Sequence, residues 1–259
     1  MTWIKSARPR VLLTGSSGRI GTFFTKYSQG KDYDLVGLDL NPPKLASGLV
    51  EFFQGDIQDT DLLSRAMEGC SVIAHLAAHV KDVDKSDFMN DVLPNNIIGT
   101  YRIYEMATKH MIHKIIFTSS VQTMDGYGQQ HVKVTDRPHP TNFYGISKVT
   151  GEDIGLVFSK RGGPASVNLR LGWVETDEDR EEIRNSPDSW WLFLSELDCN
   201  EILRTSIMND ISEKFLILDA MSLNASNFRE LNRLGQYLGY TPQSDANKMF
   251  GDSQATWVK

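Results

Sequence analysis

At 259 residues the chain is long enough for one large domain, and its 40% hydrophobic and 23% charged content is that of an ordinary globular protein. A net charge of −6, with acids and bases interspersed, offers no basic patch for nucleic acid, and no apolar run approaches a membrane span. Cys70 and Cys199 lie far apart without metal-type spacing, which points to reduced, packed thiols in a cytoplasmic protein. After the basic residues of the first ten positions, only Val11-Leu12-Leu13 precedes Thr14-Gly15, too short for a signal-peptide core. The sequon Asn224-Ala225-Ser226 is therefore expected to be idle.

Strand and helix signals alternate through the first part of the chain. Val11–Thr14 reads as a strand, and Ile20, Phe23, Phe24 and Tyr27 follow at helical spacing. Asp34–Asp39 and Leu49–Phe53 read as the second and third strands, and Thr60–Met67 as a helix stopped at Gly69. Ser71–Ala77 is the fourth strand, Met89–Lys109 a long helix and Lys114–Ser120 the fifth strand. Tyr144–Lys160 is a helix ended by Gly162-Gly163-Pro164, and Ser166–Gly172 the sixth strand. This order predicts an α/β fold of the Rossmann type, a doubly wound parallel sheet covered by helices on both faces. Beyond Gly172 come a charged stretch over Glu175–Arg184, a helix from Trp191 to Met208, a strand at Phe215–Asp219 and a helix around Asn227–Leu238. Residues 1–172 are thus expected to form the nucleotide-binding domain, and residues 173–259 a small C-terminal substrate-binding cap.

Thr14-Gly15-Ser16-Ser17-Gly18-Arg19-Ile20-Gly21 spaces three glycines between a strand and a helix. Glycine permits a sharp turn and close approach of a pyrophosphate to the free amides and positive dipole end of the helix. Asp39 ends the second strand, where a carboxylate accepts from ribose hydroxyls and repels a 2′-phosphate, favouring NAD over NADP. Asp56 and Ile57 follow the third strand, and Leu76, Ala77 and Ala78 end the fourth, all at the carboxyl edge where open α/β sheets bind ligands. Tyr144 and Lys148 lie one helical turn apart and share a face. A fixed ammonium beside a phenol favours the phenolate and suits it to be a general base.

These pieces, with Asn96-Ile97-Ile98-Gly99-Thr100, Thr118-Ser119-Ser120, Gly151-Glu152 and Leu169-Arg170-Leu171-Gly172, resemble the extended short-chain dehydrogenase/reductase family, also called the NAD-dependent epimerase/dehydratase family. The resemblance implies NAD as cofactor, held by Gly15, Ser17, Gly18, Arg19, Ile20, Gly21, Asp39, Asp56, Ile57 and Leu76 to Ala78. It implies Tyr144 as acid/base, Lys148 as its partner and ribose anchor, and Ser120, rather than Ser119, orienting the substrate oxygen. Asn96 would support the network. The helices over Met89–Lys109 and Tyr144–Lys160 are the family's dimer-forming pair, so a homodimer is expected.

The short C-terminal part looks like the compact branch of uronate dehydrogenases and archaeal NAD-dependent glucose-6-phosphate dehydrogenases, which oxidise an anomeric carbon to a lactone. Trp173 stands where the uronate enzymes have a serine, and Val121-Gln122 where they have Asn-His. Ser120, Val121, Gln122, Tyr144, Trp173 and Arg180 are the expected substrate contacts. Arg180 and Arg184 are candidates to hold a carboxylate or phosphate, or else belong to a solvated loop. The alternatives are a nucleotide-sugar epimerase or dehydratase retaining its NAD, and a non-catalytic dinucleotide-sensing protein, although such proteins commonly lose the Tyr/Lys pair. No metal site is expected: His75 and His79 are separated by ~13 Å if extended, too far for both to reach one ion at ~2 Å. His110 and His113 suit a helix C-terminus. His131 and His139 fall in the loop before Tyr144.

Overall fold

Strand β1 (Arg10–Thr14) lies at the middle of a seven-stranded parallel sheet in the computed structural model, which describes residues 8–43, 48–80 and 87–251. Most of the N-terminal segment weighed above as a leader falls outside these residues. From β1 the chain passes through α1 (Arg19–Tyr27) to β2 (Asp34–Asp39), then to β3 (Leu49–Gln54). It crosses back through α2 (Thr60–Met67) to β4 (Val72–His75) on the other side of β1. Helix α3 (Gly99–Lys109) leads to β5 (Lys114–Ser120), and α4 (Phe143–Lys160) to β6 (Ala165–Leu171). The spatial order is β3-β2-β1-β4-β5-β6-β9, with β9 at Phe215–Ala220. The connections diverge between β1 and β4, which opens a crevice above their carboxyl ends.

The central strands read as continuous apolar runs because both faces are covered. Alternation still divides them: Val11 and Leu13 pack into one cluster with Phe24, Ile202 and Leu234, while Leu12 packs into the other with Leu63, Ile103 and Tyr104. Local signals set the helix starts. Asp59 Oδ1 accepts from the amides of Asp61 and Leu62 at 3.0 Å, and Asn142 Oδ1 accepts from Gly145 N at 2.7 Å.

Two helix expectations change. The helix foreseen over Met89–Lys109 begins as a π-type helix, Phe88–Ile98, and becomes α-helical only at Gly99. Pro94 lies inside it and has no N–H to give, while Gly99 N–H reaches back to Pro94 O, five residues away. The helix foreseen from Trp191 starts at Glu196: α6 (Glu196–Met208) follows a 3₁₀ turn, Pro187–Leu192, and a short strand β8 (Phe193–Leu194). Phe193 and Leu194 are fully buried there because β8 pairs in parallel with β7 (Trp173–Val174).

Residues after 172 also do more than cap the fold. They supply β9, which pairs with β6 along its length, and α6, whose Cys199, Ile202 and Leu203 belong to the main core. Their remainder, α5 (Arg180–Arg184), α7 (Asn232–Leu238) and α8 (Ala246–Phe250), adds a small cluster in which Trp173 packs beside Ile183, Trp190, Phe193 and Phe250. No helix of the described residues is long and apolar enough to cross a membrane.

Candidate active site

A cleft of about 960 Å³ runs along the carboxyl ends of the strands. At one end the chain leaves β1 through Gly15, whose φ of +73° belongs to the region that favours glycine. A Cβ there would lie 2.7 Å from Ala77 N, and one on Gly21 only 2.1 Å from Gly15 O. The turn, α1 and the end of β4 are therefore packed to backbone contact, and Gly18 caps α1 without a side chain to cover its first amides. A pyrophosphate fits this cradle, where unpaired N–H groups and the helix dipole coincide.

Asp39 sits beside the turn, its carboxylate accepting from Ser17 N at 3.0 Å and Asn41 N at 2.9 Å. Gly15, Gly18, Arg19, Ile20, Gly21 and Asp39 all line the cleft, as do Asp56, Ile57, Leu76, Ala77 and Ala78. Ser17 does not line it; its hydroxyl donates to Asn41 O at 2.7 Å and ties the turn to the end of β2. Asn96 is also set back. It is buried, with its oxygen accepting from His79 N at 2.7 Å and its nitrogen donating to His79 O and Ser147 Oγ at 3.0 and 3.1 Å. Ser147 Oγ in turn donates to Tyr144 O. Asn96 thus joins the segment after β4 to the first turn of α4 through the frame of the site.

The other end of the cleft gathers Ser120, Tyr144 and Lys148. Alternation along β5 separates the two candidate serines. Ser119 donates to Glu152 Oε1 at 2.6 Å, whereas Ser120 accepts from Gln122 N at 3.2 Å and lines the cleft with Tyr144. Lys148 Nζ donates to Thr118 O at 2.7 Å and lies 5.4 Å from the centre of the Tyr144 ring. Burial dominates both titrations. It pushes the Tyr144 phenol above its ordinary value, against the Ser120 hydrogen bond and the charge of Arg19 that pull it down. It pushes the Lys148 ammonium down to about 7, partly offset by Glu152. Desolvation therefore sets the Tyr144 titration, and the groups that oppose it are Ser120 and Arg19 rather than the expected Lys148.

Val121, Gln122 and Trp173 line the same end, but Arg180 does not. Arg180 is more than half exposed and pairs with Glu175 at 3.5 Å, while Arg184 pairs with Glu181 at 2.7 Å. Their acidic partners precede them in the same charged stretch, which folds in part as α5, and the Arg184 guanidinium also lies 5.9 Å from the centre of the Phe250 ring. Inspection of the sequence missed Asp125, Thr141, Asn142 and Asp179, all of which line the cleft. Asn142 carried a signal, an N-cap residue type before a helix. The other three depend on tertiary approach.

His75 and the two cysteines are occupied structurally, while His79 lines the cleft. His75 is buried, with Nδ1 2.7 Å from Thr14 Oγ1 and Nε2 3.0 Å from Thr100 Oγ1. Thr100 donates its own proton to Asn96 O, so Nε2 carries the imidazole hydrogen and Nδ1 accepts from Thr14. Cys70 and Cys199 are free and buried; burial pushes Cys70 up to about 11 and Cys199 higher still. Among the described residues, no three His, Cys, Asp or Glu side chains are grouped to hold a metal.

Comparison with known proteins agrees with this geometry. L-arabinose 1-dehydrogenase (NAD(P)(+)) of Haloferax volcanii is 27% identical over 255 residues, covering 92% of this chain and 97% of that protein. NAD-dependent glucose-6-phosphate dehydrogenase of the same organism is 29% identical over 254 residues, covering 91% and 94%. The crystal structure of uronate dehydrogenase from Agrobacterium tumefaciens shares the fold, with a TM-score of 0.83 at 23% identity over 98% of this chain and 91% of that one. The model of the NAD dependent epimerase/dehydratase family matches residues 11–186. With the glycine turn, Asp39 and the Ser120, Tyr144 and Lys148 cluster opening on one cleft, this chain belongs to the NAD-dependent epimerase/dehydratase family.

Proposed function

We propose that this protein is an NAD-dependent sugar dehydrogenase that oxidises the anomeric carbon of a sugar or sugar derivative to a lactone. The observation that carries the reading is that Ser120, Tyr144 and Lys148 open on the same cleft as the glycine turn and Asp39. The activities named for the two archaeal relatives, on arabinose and on glucose 6-phosphate, support the same class of chemistry. Residues 1–172 would hold the cofactor and the reacting groups, and residues 173–259 would shape the sugar end through Trp173, Ser189 and Leu192. The location we infer is the cytoplasm.

NAD, when bound, supplies the hydride acceptor. The anomeric hydroxyl lies between Ser120 and Tyr144; Ser120 donates a hydrogen bond that orients it, and Tyr144, as phenolate, takes its proton. The carbon loses its hydrogen with both electrons as hydride, so the C–O bond becomes a carbonyl and the ring a lactone. Lys148, anchored on Thr118 O, holds the charge balance beneath the phenol. Asp39 selects NAD by occupying the place of a 2′-phosphate.

A homodimer is part of the proposal. Ile98 and Tyr101 of the helix pair before β5, and Phe143, Ile146 and Val157 of α4, are large apolar side chains left exposed. Phe88 and Phe143 rings pack at 4.8 Å and Tyr101 and Phe158 at 5.6 Å, so both helices contribute to one apolar face. Light scattering on purified protein tests it; a monomer at micromolar concentration would refute it.

The functional test is NADH production over a panel of aldoses, uronates and sugar phosphates. Release of NADH in proportion to sugar consumed is expected. Protein that carries stoichiometric NAD through purification and interconverts nucleotide sugars without net NADH would overturn the reading in favour of an epimerase.

A further inference from the structure

We propose that the sugar end of the cleft is built for an uncharged aldose, with Asp125 and Gln122 as the residues that select it; this rests on the dehydrogenase reading above. Both lie on the 3₁₀ segment Val121–Tyr127 that follows Ser120, and both line the cleft. Facing them are Thr141 and Asn142, the two residues that precede α4. Thr141 Oγ1 donates to Asp125 Oδ2 at 2.7 Å, and Asn142 Nδ2 donates to Gln122 Oε1 at 2.8 Å.

These bonds fix which atoms remain for a ligand. Asn142 Oδ1 accepts from the backbone amide of Gly145, which can only donate, so the Asn142 amide has one orientation and presents Nδ2 to its neighbour. The Gln122 oxygen must then face Asn142, and the Gln122 amide hydrogens are the donors offered to the cleft. Thr141 takes one oxygen of Asp125, leaving Oδ1 as an acceptor. Beside the reacting pair the wall therefore presents a donor at Gln122 and a negatively charged acceptor at Asp125.

A hydroxyl both donates and accepts and satisfies this array; a carboxylate or phosphate only accepts. An anionic substituent at the same place would meet the Asp125 charge with no hydrogen to give it. Among the described residues lining the cleft, the cations are Arg19 and Lys148. Arg19 is paired with Asp179 at 2.8 Å and Lys148 is bound to Thr118 O beneath Tyr144. Trp173, Val174 and Leu192, which line the same cleft, add apolar surface for the C–H face of a sugar ring.

The test compares kcat/KM with NAD for L-arabinose, D-xylose, D-galactose and D-glucose against D-glucuronate, D-galacturonate and glucose 6-phosphate. The best neutral aldose should exceed every anionic sugar by at least about tenfold, as a like charge near Asp125 requires. Asp125→Asn should lower kcat/KM for that aldose by about 10- to 100-fold, mainly through KM, the loss of one charge-assisted hydrogen bond. The same variant should narrow the gap to the uronates. A wild-type preference for a uronate or a sugar phosphate would overturn the inference while leaving the dehydrogenase reading intact. Thermal shifts with NADH present read binding without turnover. If no sugar is oxidised, a shift with neutral aldoses but not uronates still supports the inference, and the reverse refutes it; the dehydrogenase reading fails separately.

Discussion

Arg19 and Asp179 join the glycine-rich turn to the segment after β7: one guanidinium nitrogen of Arg19 lies 2.9 and 2.8 Å from the two carboxylate oxygens of Asp179. Thr176 Oγ1 donates to the same carboxylate at 2.5 Å. A dinucleotide pyrophosphate laid on the turn must share Arg19 with Asp179. Asp179→Asn removes the competing charge and should tighten NADH binding by about two- to fivefold, the range of an exposed ion pair worth under ~1 kcal/mol. Fluorescence titration of NADH measures this, and weaker binding would show that the pair assembles the site instead.

Tyr144→Phe keeps the ring and loses the proton acceptor. Turnover should fall by about 10²- to 10⁴-fold, the usual worth of a positioned general base, with NADH affinity nearly unchanged. Near-normal turnover would exclude Tyr144 from the chemistry. Because burial holds the phenol above its ordinary value, kcat/KM for oxidation should climb with pH throughout the neutral range. A plateau reached below about pH 7 would mean that the loaded site depresses the phenol further than Ser120 and Arg19 do here.

His75 sets an acid limit on stability. Burial, aided by the Lys148 charge, lowers its value from 6.5 to about 3 in the fold. Between those values the unfolded chain binds the extra proton, so this group costs about 1.4 kcal/mol of stability per pH unit as pH falls. The contribution is fully present above pH 6.5 and is lost on acidification toward pH 3. Urea unfolding across this window should show the slope, and His75→Gln should flatten it by about one proton's worth.

Glu152 and Arg170 form a buried pair, with Arg170 Nε and Nη2 donating to the two carboxylate oxygens at 2.9 and 2.8 Å. Glu152→Gln removes the carboxylate that accepts both Arg170 bonds and leaves buried Asp219 as the acidic neighbour of the guanidinium; it should cost roughly 3–5 kcal/mol in urea unfolding. Replacing both with Met removes two buried charges together but strands Asp219, so it should recover only part of that loss, and adding Asp219→Asn should recover more. Failure of the triple variant to recover more than the double would show that packing, rather than charge, dominates the site.

Much of the fold was legible because its signals are local. The β1-turn-α1 unit follows from an apolar run, glycines and a helical repeat, and the Tyr144 and Lys148 pair from a spacing of one turn. Trp191 to Leu194 misled because a short apolar run has no length to distinguish strand from helix, and its pairing with Trp173 and Val174 is tertiary. Arg180 looked available for an anion because its partner, Glu175, belongs to the same charged stretch and faces it only once the chain folds. Asn96 was legible as part of the site, but its role as a tie between His79 and Ser147 rests on contacts across 17 and 51 residues.

The pairing of β9 with β6 bears on how the protein is made. Leu171, at the end of the strand beside Ser120, is bordered by Ala220, and Arg170 by Asp219. During synthesis the glycine turn, Tyr144 and Lys148 all leave the ribosome well before β9 does. Until residue 220 emerges, β6 is an edge with bare amides and carbonyls, a template for pairing with another nascent chain. Truncation at residue 186, where the family match ends, would make that exposure permanent, so aggregation rather than a smaller active protein is the fate of the shortened chain.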